Sequence, residues 1–365
     1  MYIILLLCIT AATARFAGAT AWQGAGASQR FLGTAHARTQ HLNATQAFLE
    51  AIQPLVDRGL HDFPVPDPHV SDNCQDILQR PHTRPNRHGQ RVPDLVHMVW
   101  GLGPSWRHEG LGRPAYYAVH GAQRAVGVER VVLHRTHPIA DTHVLAQLQS
   151  EGALGSCVWT DFDTIMGRNI SMYSHKSDVI RILTLFWAGG VYVDTDLVLF
   201  RSLADLQRYA FVAGEQTLDG ERSHGIATCV LLSEPQSVWV GDWVLSYHDF
   251  DWNDYDLHSI RRPTERWRAL VAEHGEPAVR RFAKVFPIDT LVYPPINMFH
   301  LFMVDRGTDA PWEGFCQIFS LHLWLEGKDA LRDLTHDDLL AHRSEFGNVV
   351  CALFAQGELC ASQGF

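Results

Sequence analysis

The sequence predicts an α/β domain in which helices flank a mixed, mostly parallel sheet. Two observations support this prediction. Short apolar strand candidates alternate with helix candidates between residues 92 and 150, and a longer apolar helix candidate leads into another short strand within residues 177–193. This alternation is typical of doubly wound sheets, because each crossover helix covers one face of the sheet. The 365 residues can bury one large core of this kind or two modest ones.

The predicted domain begins at Val92. The run 92–101 is apolar and ends in a Gly-x-Gly turn, which is typical of a first core strand. The later elements are predicted from hydrophobic periodicity as a helix at 114–126, a strand at 131–134, a helix at 142–150 and extended segments at 197–200, 210–213 and 225–232. No internal repeat is visible in the sequence.

The segment from Ser177 to Asp196 is the most informative part of the chain. Its first half keeps apolar residues at helical spacing, and the glycine pair at 189–190 is a helix stop, since glycine adopts a left-handed C-cap without steric cost. Residues 191–193 suit a buried strand, and Asp194 and Asp196 follow at its carboxyl end, where open α/β sheets bind ligands. Extended chain would point both carboxylates to one side, which suits Mg²⁺ or Mn²⁺.

This segment resembles the sugar-binding region of the DXD glycosyltransferases, a group that includes α-1,4-galactosyltransferases, fungal α-1,6-mannosyltransferases and glucosylating bacterial toxins. The residues that carry the resemblance are Ser177, Asp178, Arg181, Gly189, Gly190, Tyr192, Asp194 and Asp196. The resemblance implies a GT-A-like nucleotide-diphospho-sugar transferase fold. It also implies a metal-dependent enzyme that moves a hexose from a UDP- or GDP-sugar to a glycan, glycolipid or other hydroxyl acceptor, with retention of anomeric configuration.

The resemblance further implies a catalytic set and its metal. Asp194 and Asp196 would hold Mn²⁺ or Mg²⁺ across the diphosphate, and His322 would contact the metal or the diphosphate from a C-terminal His-x-Trp element. Asp178 and Arg181 lie three residues apart, so they share one helical face, and in the family such residues hydrogen-bond the hydroxyls of the donor sugar. The competing interpretation of that pair is a simple ion pair worth ~0.2–0.5 kcal/mol.

Three aromatic residues complete the donor site that the resemblance implies. Trp100 would stack on the nucleotide base, Tyr192 would contact the donor from its strand, and Trp324 would line the same pocket. A core tryptophan beside a turn is the alternative for Trp100. The family carries an asparagine near the donor sugar on the strand at 225–232, where this chain has Thr228 or Cys229.

Residues 242–262 combine aromatic and acidic side chains, and two interpretations stay open for them. Aromatic faces beside carboxylates suit sugar binding, which would make this stretch an acceptor-recognition loop. An acidic surface helix with buried rings fits the same composition.

Charge and the N-terminal sequence bear on partners and compartment. The net charge of −10 argues against nucleic acid, and a polyphosphate donor would need a cation to screen it. Residues 2–14 are apolar but shorter than the roughly 20 residues that span a membrane. They predict a signal peptide or a short signal anchor that could associate with a membrane. The predicted location is the secretory pathway. The protein would either stay in the Golgi, in the lumen or associated with the membrane, or be secreted.

Two further features agree with that compartment. Glycosylation sequons begin at Asn43 and Asn169. Six cysteines remain beyond Cys8, an even number that permits three disulfides, and we expect all six to be oxidised in pairs. They lie at 74, 157, 229, 316, 351 and 360. The chain is thus predicted to consist of a signal segment (1–19), a stem-like or appended segment (20–91), a GT-A-like catalytic domain (92–345) and a C-terminal tail (346–365).

Two other functions compete with glycosyl transfer. Residues 194–198 also fit the D-x-D-x-[TV] motif of haloacid-dehalogenase-type phosphatases, with Lys284 and the acidic pair 337–338 as the remaining candidates. That motif normally opens its domain, whereas here about half the chain precedes it. The other alternative is a catalytically degenerate, sugar-binding protein that has kept the fold.

Overall fold

The computed structural model describes residues 89–104, 110–217, 220–294, 317–324 and 345–351, with the single positions 335 and 337. The predicted signal segment, nearly all of the stem-like segment and the Asn43 sequon lie outside these residues, as do residues 352–365 of the predicted tail. Among the described helices, none is long and apolar enough to cross a membrane.

Eleven strands are described, and in chain order they are β1 (Val96–Val99), β2 (Val131–Arg135), β3 (Leu154–Val158), β4 (Thr164–Ile165), β5 (Arg168–Asn169), β6 (Gly190–Val193), β7 (Leu197–Leu199), β8 (Phe211–Thr217), β9 (Ser223–Ser233), β10 (Ala283–Phe286) and β11 (Ser320–His322). The described α-helices are α1 (Arg113–Val126), α2 (His143–Ser150), α3 (Tyr173–Ala188), α4 (Val238–Leu245), α5 (Arg262–His274), α6 (Glu276–Val279) and α7 (Glu345–Cys351). A 3₁₀-helix covers Ser246–Asp249, and a π-helical turn covers Leu257–Arg261.

Seven strands form the main sheet in the order β10-β8-β9-β6-β1-β2-β3. Strands β1, β2, β3 and β6 pair in parallel, β10 pairs in parallel with β8, and β9 is antiparallel to both of its neighbours. The mixed, mostly parallel sheet that the sequence predicted is therefore confirmed. Strands β7 and β11 form a separate antiparallel pair, and β4 and β5 form a short hairpin.

Helices cover both faces of this sheet. Successive residues of a strand point to opposite faces, so neighbouring residues of β6 pack against different helices. Val191 and Val193 belong to the apolar cluster that α1 and α2 complete, whereas Tyr192 belongs to the cluster that α3 and α4 complete. Helix α3 contributes Val179 and Ile182 to the second cluster. The same packing fixes the face of α3 that reaches the carboxyl end of β6.

The glycine pair between α3 and β6 is required by its surroundings. Gly189 has φ +64° and ψ −163°, so it ends the helix in a positive-φ conformation other than the left-handed helical cap that the sequence predicted. Gly190 has φ +107°, and a Cβ there would lie 2.5 Å from the Leu95 carbonyl oxygen. Only glycine fits such a conformation with the neighbouring strand this close.

A chain of buried side chains links β1, β2 and the residue after β3 to this turn. The Trp159 indole N–H donates to His134 Nδ1 at 2.9 Å, His134 Nε2 lies 3.0 Å from His97 Nδ1, and His97 Nε2 lies 2.9 Å from the Gly189 carbonyl oxygen. The two end partners fix the direction of donation: each imidazole donates from Nε2 and accepts at Nδ1, so both rings are neutral. Burial, together with His97, holds the pKa of His134 well below its usual value.

Acidification is expected to destabilise the fold through His134. Below the usual histidine pKa of about 6.5, the unfolded chain takes up a proton at this position that the folded chain does not, so the free energy of unfolding falls as the pH falls. Urea unfolding measured from pH 7.5 to pH 5 should show this fall, and it should be shallower in His134→Gln. Equal slopes for the two proteins would assign the pH dependence to other groups.

Candidate functional site

The site lies at the carboxyl end of β6, where the order of the parallel strands reverses. From β1 the chain proceeds to β2 and β3 on one side, and β6 lies on the other side of β1. Trp100 follows β1 and Asp194 follows β6, and these parallel neighbours end at the same edge of the sheet. Ligands of open α/β sheets bind at such a reversal.

Asp194 and Asp196 belong to a turn, which corrects the prediction that they alternate along an extended chain. The Leu197 amide donates to the Asp194 carbonyl oxygen at 3.1 Å, and β7 begins only after that turn. Two charged residues at a strand end are held better in a turn, where water or a ligand can reach them, than in a continued buried strand. The two carboxylates consequently meet different partners.

Asp194, which is partly exposed, lies in a charged group with the buried Asp178 and Arg181 of helix α3. The Tyr192 hydroxyl donates to Asp194 Oδ1 at 2.6 Å, and Arg181 Nη2 lies 3.3 Å from the same oxygen. Arg181 Nη1 also lies 3.4 Å from Asp178 Oδ1, and its guanidinium carbon is 4.6 Å from the centre of the Tyr192 ring. Asp178 and Arg181 are each only 6% exposed, so the ion pair of the competing interpretation is present and buried.

The charges of this group shift one another's pKa values. Burial and the neighbouring carboxylate of Asp196 raise the pKa of Asp194 above its usual range, although Arg181 opposes that rise. Burial alone would lower the pKa of Arg181, but Asp194 and Asp178 raise it. Arg181 is therefore the cation that faces both Asp178 and Asp194.

Asp196 faces the C-terminal His-x-Trp element. Strand β11 pairs antiparallel with β7 and places His322 opposite Leu197, and the Leu323 amide donates to the Asp196 carbonyl oxygen at 2.8 Å. His322 Nε2 lies 3.3 Å from Asp196 Oδ1. The burial of His322 disfavours its charged form, yet Asp196 raises the pKa of this histidine well above its usual value.

Trp324 is fixed beside that histidine. The two ring centres are 3.9 Å apart, and the indole N–H donates to the Pro294 carbonyl oxygen at 2.8 Å. Trp324 has φ +48°, an uncommon conformation for a residue other than glycine. The element predicted from sequence thus lies against the Asp-x-Asp turn.

Cys229 is the site neighbour whose environment the sequence did not predict. It lies across from Asp194 on β9, and the Asp194 amide donates to the Cys229 carbonyl oxygen at 2.8 Å. Its sulfur and ligand atoms of Asp194 and His322 all lie within 4.8 Å of one another. Cys229 is a free, buried thiol, so the expectation that all six cysteines pair is wrong at this position, because its strand packs it inside the site.

Part of this site, including Asp194, lies in a stretch that matches a known family. Residues 128–213 match the model of the glycosyltransferase sugar-binding region containing the DXD motif, a stretch that includes α3, β6 and the Asp-x-Asp turn. Over these residues, called the DXD region below, the chain is similar to the DXD glycosyltransferases. The resemblance that the sequence suggested is confirmed for this region, whereas Trp100, His322 and Trp324 lie outside the matched stretch.

A curated relative and several solved structures are also similar to the chain. Glucan organizing enzyme 1 of Cryptococcus neoformans var. grubii is 28% identical over 212 residues, and the match covers 52% of this chain and 52% of the relative, so this chain spans about half of that relative's length. PaToxG glycosyltransferase is 13% identical with a TM-score of 0.36 and covers 72% of this chain and 87% of its own. The galactosyltransferase LgtC, solved with donor and acceptor sugar analogues, is 15% identical with a TM-score of 0.34 and covers 71% of this chain and 96% of its own.

The stretch 242–262 packs beside helix α3 of the DXD region. It contains buried aromatic residues, as the surface-helix interpretation expects, and exposed ones, as the acceptor-loop interpretation expects. Trp243 and Tyr247 are buried, whereas Trp252 and Tyr255 are 67% and 49% exposed. The exposed pair reaches the site through Tyr255, whose ring centre is 5.3 Å from that of His175.

Sequence reasoning missed His175. This buried residue precedes Asp178 by one helical turn on α3, and its Nδ1 lies 3.8 Å from Asp178 Oδ2. His175 Nε2, the Tyr247 hydroxyl and His258 Nε2 are buried and have no hydrogen-bond partner within the described part of the chain. Burial lowers the pKa of His258 to about 4. The three-residue spacing from Asp178 was the available signal for His175.

The ligand atoms around the Asp-x-Asp turn of residues 194–196, called the DXD turn below, fit a divalent cation. Two carboxylates and one imidazole are ligands that Mn²⁺ accepts, and the carboxylates alone suit Mg²⁺. His322 Nδ1 is buried without a hydrogen-bond partner in the described residues, and burial together with the neighbouring Asp196 carboxylate raises the pKa of Asp194. A bound cation would satisfy both conditions, with Asp194, Asp196 and His322 as the residues to hold it.

Proposed function

We propose that the chain is a metal-dependent glycosyltransferase that moves a hexose from a UDP- or GDP-sugar to a hydroxyl of a glycan or glycolipid, with retention of anomeric configuration. The observation that carries the proposal is the charged group within the DXD region, where Asp178, Arg181 and Asp194 are joined at 3.3–3.4 Å beside the Asp196–His322 pair. Keeping so many charged groups together in a buried site is costly, and ligand binding is the usual reason for it.

Each group has a proposed task. Asp194, Asp196 and His322 would hold Mn²⁺ or Mg²⁺, which when bound stabilises the negative charge of the departing diphosphate. Asp178 would accept hydrogen bonds from hydroxyls of the donor sugar, while Arg181 holds Asp178 and Asp194 in place and donates to the same sugar.

Tyr192 has a contact that refines its predicted role. Tyr192 is 1% exposed, and its hydroxyl donates a hydrogen bond to Asp194. We propose that Tyr192 positions Asp194 and acts on the donor through it. Trp324, fixed by Pro294, would form a wall of the same pocket.

The phosphatase alternative is not favoured by the fold. Lys284, its candidate lysine, lies on the edge strand β10, and β8 and β9 separate that strand from β6. Its ammonium group lies 4.3 Å from the centre of the Phe286 ring. Asp337 is exposed. The described residues therefore place the phosphatase lysine far from the Asp-x-Asp turn.

The predicted secretory location is retained as part of the proposal. Asn169 is exposed on the short hairpin strand β5, where a glycan could be attached. The apolar N-terminal block would deliver the chain to the secretory pathway, as a Golgi or secreted protein.

A panel of UDP- and GDP-sugars tests the proposed activity. The full-length chain is incubated with each donor and Mn²⁺ or Mg²⁺, with and without glycan acceptors, and released nucleoside diphosphate is measured. Metal-dependent release from one donor class would support the proposal. If no donor is turned over while small phosphoesters are hydrolysed, the phosphatase assignment replaces it, and binding of a donor without turnover would favour the degenerate sugar-binding protein.

Trp100→Ala is expected to weaken donor binding by ~1–3 kcal/mol, taking base–aromatic stacking as the guide. Trp100 is half-buried after β1, at the same edge of the sheet as Asp194. Titration calorimetry with the donor's nucleoside diphosphate measures the loss. Trp252→Ala removes an exposed indole as the matched control. Equal affinities in Trp100→Ala and wild type would return Trp100 to a core-packing role.

A further inference from the structure

The candidate metal site at the DXD turn has a sulfur atom, the thiol of Cys229, beside its oxygen and nitrogen ligand atoms. Its sulfur lies within 4.8 Å of ligand atoms of both Asp194 and His322, although none of the three is adjacent to another in sequence. Three groups of different chemistry thus converge on one point. Two of them, Cys229 and His322, are buried, at 3% and 6% exposure.

Backbone pairing fixes the thiol in this position. Strands β6 and β9 pair antiparallel through Val193 and Val230, and the hydrogen bond from the Asp194 amide to the Cys229 carbonyl continues that register. Residues directly opposite each other on antiparallel strands have Cβ atoms about 4.5–5.5 Å apart, so both side chains can reach one ion. Cys229 is free, so its sulfur is available as a ligand.

The unpartnered nitrogen of His322 is a second and independent sign of a ligand. His322 Nδ1 is buried without a partner at ordinary hydrogen-bond distance in the described residues, Nε2 faces Asp196 at 3.3 Å, and the Cys229 thiol, a weak hydrogen-bonding group, lies beside the ring. A buried ring nitrogen without a partner costs free energy that a bound cation would recover.

We propose that Cys229 is a ligand of the divalent ion held by Asp194 and His322, and that this site therefore takes thiophilic ions such as Co²⁺, Zn²⁺ and Cd²⁺ as well as Mn²⁺. Sulfur is a soft donor, which favours these ions over Mg²⁺, whose preferred ligands are oxygens. Cys229 coordinates as a thiolate and His322 as a neutral imidazole, so the thiol proton and the second imidazole proton are released to solvent when the ion binds. The inference rests on the proposed function only in placing the metal at the DXD turn.

Spectroscopy of the cobalt form tests this directly. Purified full-length protein is titrated with Co²⁺ alone, without any donor sugar. A sulfur-to-cobalt charge-transfer band in the near ultraviolet is expected in wild type and should be absent in Cys229→Ser and Cys229→Ala. Calorimetry should show Cd²⁺ affinity lowered by about tenfold or more in both variants, the lower end of what even an outer-shell substitution costs. Mn²⁺ affinity should change much less.

Thr228→Ser is the matched control, because it makes a similarly small change at the adjacent position of β9 and should leave the band intact. Asp194→Asn and His322→Gln should remove the band along with Cys229→Ser, which would assign it to this cluster even if both Cys229 variants fold poorly. A wild type that binds Co²⁺ without the band would overturn the inference. So would a band that persists in the Cys229 variants or in the two co-ligand variants.

Donor turnover is measured separately, so the two proposals can fail independently. If the sulfur-to-cobalt band is seen but no nucleotide sugar is turned over, Cys229 is a metal ligand and the proposed glycosyltransferase activity is rejected. Manganese-dependent turnover without any sulfur band would do the reverse.

Discussion

Asp196→Asn is expected to lower metal-dependent donor turnover by orders of magnitude while leaving the fold intact. The substitution is nearly isosteric, and an asparagine oxygen can still accept a hydrogen bond from His322 Nε2, which now lies 3.3 Å from the carboxylate. It removes a full negative charge from the proposed cation site, where the ion contributes several kcal/mol toward departure of the diphosphate.

Two measurements check this result. Release of nucleoside diphosphate is compared with and without Mn²⁺, and thermal unfolding is followed with Mn²⁺ plus nucleoside diphosphate. Wild type should gain stability from these ligands by linkage, and the variant should not. Without metal, the variant should be slightly less stable than wild type, because it loses the charge that holds protonated His322.

Asp256→Asn is the matched control for Asp196→Asn. Asp256 Oδ2 lies 3.0 Å from His224 Nε2, so this variant also removes a carboxylate from a carboxylate–histidine pair, but outside the DXD region. Because Asp256 lies within the candidate acceptor stretch 242–262, the comparison uses donor hydrolysis without an acceptor, and this variant should retain that metal-dependent activity. If Asp196→Asn turns over the donor at the wild-type rate and with the same manganese dependence, the DXD turn is not the metal site.

The parts of the fold that could be predicted are those that local pattern determines. Helices α1, α2 and α3 and strands β1, β2 and β6 were predicted because apolar residues recur in them at the period of their own structure. Strand β3 was missed because its sequence, Leu-Gly-Ser-Cys-Val, has no apolar run, and its place in the sheet comes from pairing with β2. Helix α5 was missed because its outward face is polar and charged.

The candidate site shows the same division between local and distant information. The spacing of Asp178 and Arg181 predicted a shared helical face, and their 3.4 Å contact confirms it. The Asp-x-Asp turn was predicted wrongly as extended chain, because the reversal depends on how β7 pairs with β11. The placement of Cys229 depends on the register between β6 and β9, which no pattern within either strand encodes.

Arg181→Met is expected to destabilise the fold by ~3–5 kcal/mol, the usual cost of removing one partner from a buried charged group. The guanidinium lies 3.4 Å from Asp178 and 3.3 Å from Asp194, and the side chain is 8% exposed. Methionine fills most of its volume, so packing is largely kept. The variant leaves the buried Asp178 and the partly exposed Asp194 without their cation, and urea unfolding at pH 7 measures the cost. Arg280→Met is the control, since Arg280 meets Glu276 at 2.6 Å on the surface and such pairs contribute only about 0–1 kcal/mol.

The pH dependence of Arg181→Met separates lost charge from lost packing. Arg181 opposes the rise in the pKa of Asp194, so without it that pKa rises further. The folded variant then binds a proton that the unfolded chain, with an aspartate pKa near 3.9, does not bind until lower pH. Its stability therefore falls as the pH rises through the folded pKa and is regained on acidification. The difference in unfolding free energy between wild type and Arg181→Met should narrow from pH 7 to pH 5. A loss that stays constant with pH would mean that Arg181 stabilises the fold by packing alone, and a loss no larger than that of Arg280→Met would contradict the buried charged group itself.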